Sequence, residues 1–270
     1  GTDNDTVEIA GLPFSIDEQA RRKSGIGFEL GGNVAVRQTM TPTVTFLANM
    51  KAVGRFYPSV ESVQLNFDST AGLAKRFGRN KSASLALTGS TSHSGERFTR
   101  QSIGVQGEFQ NRFNARWSGY VSGFARLEDD LTDAGRDGWR AGVYTHLDRY
   151  FGRKHFARVL ASADFARFEV DRFSYDEGKI GLGYNRELPL GLDVYMQGDV
   201  ALRDYYGLYP GLDENQRDIR VGAQATFTKR DFTIGGLAPR VTYRFERNFS
   251  NAAFDDRTRH EFDVRLTKDF

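Results

Sequence analysis

Apolar and polar residues alternate one for one along most of this chain. Between residues 26 and 36, Ile26, Phe28, Leu30, Val34 and Val36 share one parity. Gly27, Glu29, Gly31, Asn33 and Ala35 share the other. Side chains two apart lie on one face of a strand, whereas a helix would scatter them around its circumference. The same period returns in thirteen segments. Examples are Val63, Leu65 and Phe67 against Gln64, Asn66 and Asp68, and Leu192, Val194 and Met196 against Asp193 and Gln197. A fourteenth, weaker segment covers residues 5–14, with Pro13 near its end, where a missing N–H does least harm.

The connectors alternate as well. Residues 38–43, 77–81, 111–115, 149–155 and 188–191 read as tight turns. Residues 15–24, 90–100, 128–137, 170–177, 205–216 and 249–256 read as longer, more polar loops. Residues 57–61 and 229–238 break the rhythm. Short turns at one end and long loops at the other are a property of membrane barrels.

Alternation alone does not choose between a soluble sandwich and a membrane barrel, because both have one apolar and one polar face. Three features favour the membrane. The segments run to about 10–14 residues, well past the usual soluble strand and enough to cross a bilayer at a tilt. The count is even, as expected of a closed up-and-down barrel. Aromatics gather at segment ends, among them Phe56, Tyr57, Phe113, Tyr150, Phe151, Tyr205, Tyr206 and Phe254, where rings settle at a lipid–water boundary. The chain also ends on Phe262, Val264, Leu266 and Phe270 at one parity. That ending resembles the C-terminal signal read by the barrel assembly machinery of bacterial outer membranes. The fold expected is all-β: a transmembrane up-and-down antiparallel β-barrel of about 14 strands in one domain over residues 1–270.

Composition narrows this further. Of 270 residues, 39% are hydrophobic and 27% charged, with no apolar run near the roughly 20 residues of a helical span. There is no Cys, which removes disulfides, thiolate metal sites and a cysteine nucleophile. A net charge of +2 gives no reason to expect a nucleic-acid partner. No basic start leads into an apolar stretch, so no signal peptide is read, and Gly1 reads as the start of a mature chain or of an excised domain.

In a barrel of this parity the polar stripe lines the lumen. Candidate lining residues are Arg37, Lys51, Arg55, Asp68, Arg140, Arg158, Asp164, Asp193, Asp199, Arg203, Arg220, Arg240 and Arg244. Small residues such as Gly25, Gly27, Gly31, Ser82, Ser84, Ala86, Ser118, Gly181 and Gly183 leave space between them. Such a set serves an aqueous route or cavity, or simply fills the lumen with cross-strand ion pairs. No chemistry declares itself. His93 sits in a polar stretch without an acid partner, His146 faces inward beside Asp148, and His260 follows Asp255, Asp256, Arg257 and Arg259. No metal-ligand spacing or phosphate loop is present, so no enzyme, metal or cofactor is expected.

One stretch is more specific. Residues 236–251 run Gly-Leu-Ala-Pro-Arg-Val-Thr-Tyr-Arg-Phe-Glu-Arg-Asn-Phe-Ser-Asn, followed by Asp255, Asp256, Arg257, Thr258 and Arg259. This resembles the penultimate hairpin of the barrel domain of surface lipoprotein assembly modifiers, with Arg247, Asn248, Ser250 and Asn251 as the family motif, here read as a turn. Gly11, Leu12, Pro13 and Phe14, then Ala20, Ser24 and Gly25, resemble the start of that domain. The resemblance implies a 14-stranded outer-membrane barrel, usually preceded by a periplasmic tetratricopeptide domain, whose pattern this chain lacks. It implies a monomer in outer-membrane lipid that helps a client lipoprotein or secreted protein across the membrane, with no catalytic residues. The client route is either the polar lumen or a seam between the first and last strands, the first being weakened by Gly11 and Pro13. A passive porin, a hydrolase and a purely structural barrel are the competing readings.

Overall fold

The structure, a computed structural model, describes residues 6–9, 12–15, 28–57, 62–95, 97–152, 154–233 and 236–267. Fifteen strands follow one another: β1 (Thr6–Ile9), β2 (Leu12–Ser15), β3 (Phe28–Thr39), β4 (Val44–Tyr57), β5 (Ser62–Arg76), β6 (Lys81–Ser94), β7 (Arg97–Arg112), β8 (Trp117–Asp130), β9 (Gly138–Tyr150), β10 (His155–Phe168), β11 (Tyr175–Leu188), β12 (Leu192–Tyr205), β13 (Arg217–Lys229), β14 (Ala238–Ser250) and β15 (Arg257–Thr267). The only helical pieces among the described residues are three-residue 3-10 turns within connectors. No helix there is long and apolar enough to cross a membrane.

Strands β3 to β15 form one antiparallel sheet of thirteen strands in strict chain order. Each pairs with the strand before and the strand after, and β3 and β15 are the two ends of the ladder. These strands run from 11 to 16 residues. The period-two pattern sets the register, because a slip by one residue would turn every apolar side chain to the other face. One row across the sheet joins Asp148, Arg158, Gly183, Gln197, Gln224, Arg244 and Glu261. The neighbouring row joins Leu147, Val159, Leu182, Gly198, Ala223, Phe245 and His260.

Accessibility is inverted relative to a water-soluble sheet. The apolar face is open: Ile180 is 69% exposed, Leu182 66%, Leu85 66% and Ile103 66%. The polar face is the covered one: Asp148 is 3% exposed, Asp218 2% and Asn248 2%. Buried apolar residues among those described are few and mostly alanines, such as Ala166, Ala201 and Ala238. Among the described residues the covered polar side chains lie against one another across the strands. Arg220 on β13 reaches over β12 to pair with Glu177 on β11.

Several expectations change. Residues 5–14 do not supply a fourteenth strand of the large sheet. Thr6–Ile9 and Leu12–Ser15 instead pair with each other, Thr6 opposite Ser15 and Glu8 opposite Pro13. Pro13 has no N–H to give a second neighbour, which suits a two-strand ladder. Residues 90–100 are not a long loop. Strand β6 continues to Ser94 and β7 begins at Arg97, with a register shift at Ser92/His93 and Gly95 in the left-handed region at φ 62°. His93 is therefore a strand residue, its ring edge-on to Phe98 at 4.5 Å. Residues 175–177 belong to β11 and not to the preceding connector. Gly25, Gly27 and Phe270 lie outside the described residues.

Close backbone contact marks some glycines. A Cβ on Gly104 would meet the Ala125 carbonyl oxygen at 2.4 Å and Arg126 Cβ at 2.5 Å, whereas one on Gly178 meets nothing within 4 Å. Gly104→Val should therefore destabilise the folded sheet by about 1–3 kcal/mol, read as a lowered urea midpoint in detergent or lipid, with Gly178→Val close to unchanged.

Candidate functional site

The polar face is the candidate site, and it has two unlike halves. Register places Arg37, Lys51, Arg55, Asp68, Arg140, Arg158, Asp164, Asp193, Asp199, Arg203, Arg220, Arg240 and Arg244 all on this face. The structure does not gather them into one cluster.

On β9 to β13 the charges interlock. Arg140 Nε and Nη2 each donate to the Asp164 carboxylate at 2.7 Å, and Arg158 grips Asp148 the same way at 2.7 and 2.9 Å. Two parallel bonds per guanidinium fix direction as well as charge. Arg203 Nε donates to Glu177 Oε2 at 2.7 Å, and its guanidinium stacks 4.0 Å from the Tyr175 ring. Arg220 joins the same carboxylate. Near the short turns Arg230 pairs with Asp193, which also accepts from Asn185 Nδ2 at 2.6 Å. Asp199 accepts from Gln197 Nε2 at 3.1 Å. Toward the end of the sheet Arg244 bridges Gln224 and Glu261, and Arg240 Nε donates to Thr228 Oγ1 at 3.1 Å. A ring cluster sits among these pairs: His146 stacks on Tyr120 at 5.0 Å and lies 5.6 Å from Tyr144.

On β3 to β6 the same face is lined by Asn33, Ala35, Asn49, Asn66, Thr70, Ser84, Thr88 and Ser90. Arg37, Lys51 and Asp68 stand there exposed, and no ion pair holds them among the described residues. Arg55 is exposed as well and is not without a contact. The wall is thus braced by charge on one side and mostly uncharged on the other.

At the long-loop end the motif residues act as a clamp. Arg247, Asn248 and Ser250 are not in a turn: they lie in β14, held by pairing with Val221, Arg220 and Asp218. The turn opens at Asn251. Asn248 Nδ2 donates to the Asp255 carbonyl at 2.8 Å. Asn251 accepts from the Arg217 N–H at 2.8 Å and donates to the Asn215 carbonyl at 3.0 Å. Gln216 Nε2 donates to Asp218 Oδ1 at 3.1 Å and to Asp255 Oδ2 at 3.0 Å. The loop before β13 and the loop after β14 are thereby tied together. Beside them Tyr206 donates to Asp176 at 2.6 Å, and that bond holds its phenol pKa above the ordinary value.

Asp148 was read from the sequence as a polar neighbour of His146, whereas Glu177, Tyr175, Arg230 and Glu261 join the network without having been singled out. Glu177 was read as part of a connector, yet Tyr175, Glu177 and Lys179 continue the polar parity opposite Ile180 and Leu182, and that parity is the signal that finds them. Of the C-terminal residues, Phe262, Val264 and Leu266 lie on the apolar face of β15, at 75%, 75% and 49% exposure. Among the described residues no cluster of His, Asp and Glu is arranged to hold a metal ion.

A model of the surface lipoprotein assembly modifier family matches residues 14–270, so the motif segment falls inside the match and Gly11, Leu12 and Pro13 just before it. The chain belongs to that family. Membership supports a role in the assembly or export of surface lipoproteins. None of the curated proteins compared with the chain matches it. The family and the all-β sheet are together consistent with an outer-membrane barrel.

The paired half of the wall makes a thermodynamic prediction. Asp148→Ala and Arg158→Ala should each cost about 2–4 kcal/mol, because each leaves a covered charge without its partner. The double variant should cost no more than the worse single one, and a double-mutant cycle of urea unfolding in lipid vesicles measures the coupling.

Proposed function

We propose that the sheet is the wall of a closed outer-membrane barrel that conducts a client lipoprotein or secreted protein toward the cell surface without a catalytic step. The observation that carries this reading is the inversion of the two faces. The apolar stripe offers hydrocarbon contact over strands long enough to span it, and the polar stripe encloses a wet interior. Family membership supplies the class of client. A lipoprotein has an acyl anchor that belongs in the membrane and a polar chain that does not. A polar-lined wall with an opening toward lipid suits both parts.

That opening is assigned to the gap between β3 and β15, the two ends of the ladder. Gly31 and Gly32 sit in mid-β3, where glycine weakens a strand by roughly 0.5–1 kcal/mol per residue. The weak point expected at Gly11 and Pro13 thus has its counterpart one element further along. The remaining reading is a passive pore for small solutes, which the mixed charges of the wall also suit.

Cells with and without this chain should differ in protease-accessible lipoprotein at the surface, while uptake of small solutes stays the same. Solute uptake and conductance that rise with no change in lipoprotein display would make the protein a porin. A cysteine crosslink joining β3 to β15, straightforward to place in a chain with no Cys, should stop display under oxidation and restore it under reduction. Unchanged display in the oxidised protein would remove the seam and leave the interior as the route.

A further inference from the structure

The outward-facing cations differ between the two ends of the sheet. Near the long loops they are neutralised. Arg167 pairs with Asp176 at 2.8 Å, Arg217 with Asp204 at 2.5 Å and Arg247 with Asp256 at 2.6 Å. Near the short turns Lys75, Arg149 and Arg186 lie on the same outer face with no carboxylate partner among the described residues. Around the β7–β8 and β9–β10 turns lies a cleft of about 720 Å³, lined by Arg149 from the outer face, Arg116 and Phe151 from the turns, and Arg112 and Tyr150 from the polar face. Arg149 lies directly opposite Trp117 in the β8–β9 ladder. Its guanidinium is 5.4 Å from the Trp117 ring and 5.2 Å from the Phe151 ring. Arg112 lies 6.0 Å from the Tyr150 ring. Arg116 is held in the turn, its N–H bonded to Asn114 Oδ1 at 2.8 Å and its carbonyl accepting from Tyr150 N. No acidic residue falls in the turn between Arg112 and Trp117.

We propose that this cleft binds the phosphate of an anionic glycerophospholipid at the short-turn boundary of the membrane. The inference rests on the membrane reading given above. Arg149 comes from the outer face and Arg116 from the turn, with Arg112 behind them on the polar face, and a phosphate diester accepts from two such forks through two oxygens at once. The rings of Trp117 and Phe151 orient Arg149 by cation–π contact and present an apolar surface where the acyl chains begin. A lipid supplies both features, a charged head and a hydrocarbon tail, whereas free phosphate supplies only the first.

The chain contains two tryptophans, Trp117 and Trp139, so W139F leaves Trp117 as the sole reporter. In non-ionic detergent, phosphatidylglycerol with brominated acyl chains should quench Trp117 at a mole fraction at least about fivefold lower than brominated phosphatidylcholine. R116Q/R149Q in the same background should abolish that preference while far-ultraviolet circular dichroism keeps the β spectrum. R116K/R149K, which retains charge but not the fork, should keep part of it. Equal quenching by the two lipids, or an unchanged preference in R116Q/R149Q, overturns the site. Loss of the preference in millimolar inorganic phosphate assigns the cleft to free phosphate and overturns the lipid. If neither lipid quenches Trp117, the outer face does not meet acyl chains, and the membrane reading falls together with the site.

Discussion

A carboxylate withdrawn from water must meet an opposite charge or take up a proton, and a guanidinium, which keeps its charge, must find a partner. The covered face of this sheet satisfies that demand through pairs between strands: Arg140 with Asp164, Arg158 with Asp148, Arg203 and Arg220 with Glu177. Among the described residues the apolar side stays largely open, with Ile180 and Leu182 more than half exposed, so little hydrophobic burial holds the sheet from within. The charged network is therefore the nearest equivalent of a core, and it is concentrated on β9 to β13.

This explains what the sequence could and could not reveal. Strict alternation such as Leu192-Asp193-Val194 leaves only one regular structure open, so the all-β reading and the facing of residues like Arg158 or Asp199 followed from parity alone. Strand ends were harder. Tyr175, Asp176 and Glu177 are polar or aromatic in a row and read as loop, yet the ladder extends through them, with Tyr175 and Glu177 finding Tyr205 and Arg203 opposite. Residues 90–100 looked like a loop because Ser, Thr, His and Gly dominate, and those residues favour turns when nothing pairs with them. In the sheet β5 and β7 do pair with them. Which charges meet was hidden for another reason. Pairing across two strands, as between Arg220 and Glu177, depends on the joint register of three strands, and no local pattern encodes that.

The Arg-Asn-x-Ser-Asn segment shows the same point at smaller scale. Asn and Ser are turn formers, and only Asn251 performs that role. Asn248 points into the covered face at the level of Arg220, and its amide holds the backbone of the following loop. The two loops it helps tie together stand beside the network, so the motif joins the wall to the rim. From β3 to β6 the same face is lined mostly by Asn, Ser and Thr, while on β7 Arg100 still pairs with Asp130 of β8.

Strand number has a consequence for the two ends of the ladder. Twelve antiparallel joints connect β3 to β15, and an even number of reversals restores the starting direction. The two terminal strands are therefore co-directional. A bond made straight between them has to be of the slanted, evenly spaced kind, unlike every other joint in the sheet and slightly weaker per residue. The alternative is a guest strand of opposite polarity slipped between them. A ring closed by the described strands alone would thus carry one joint different in kind from the rest, at a position set by counting, whereas a guest strand would leave every joint antiparallel.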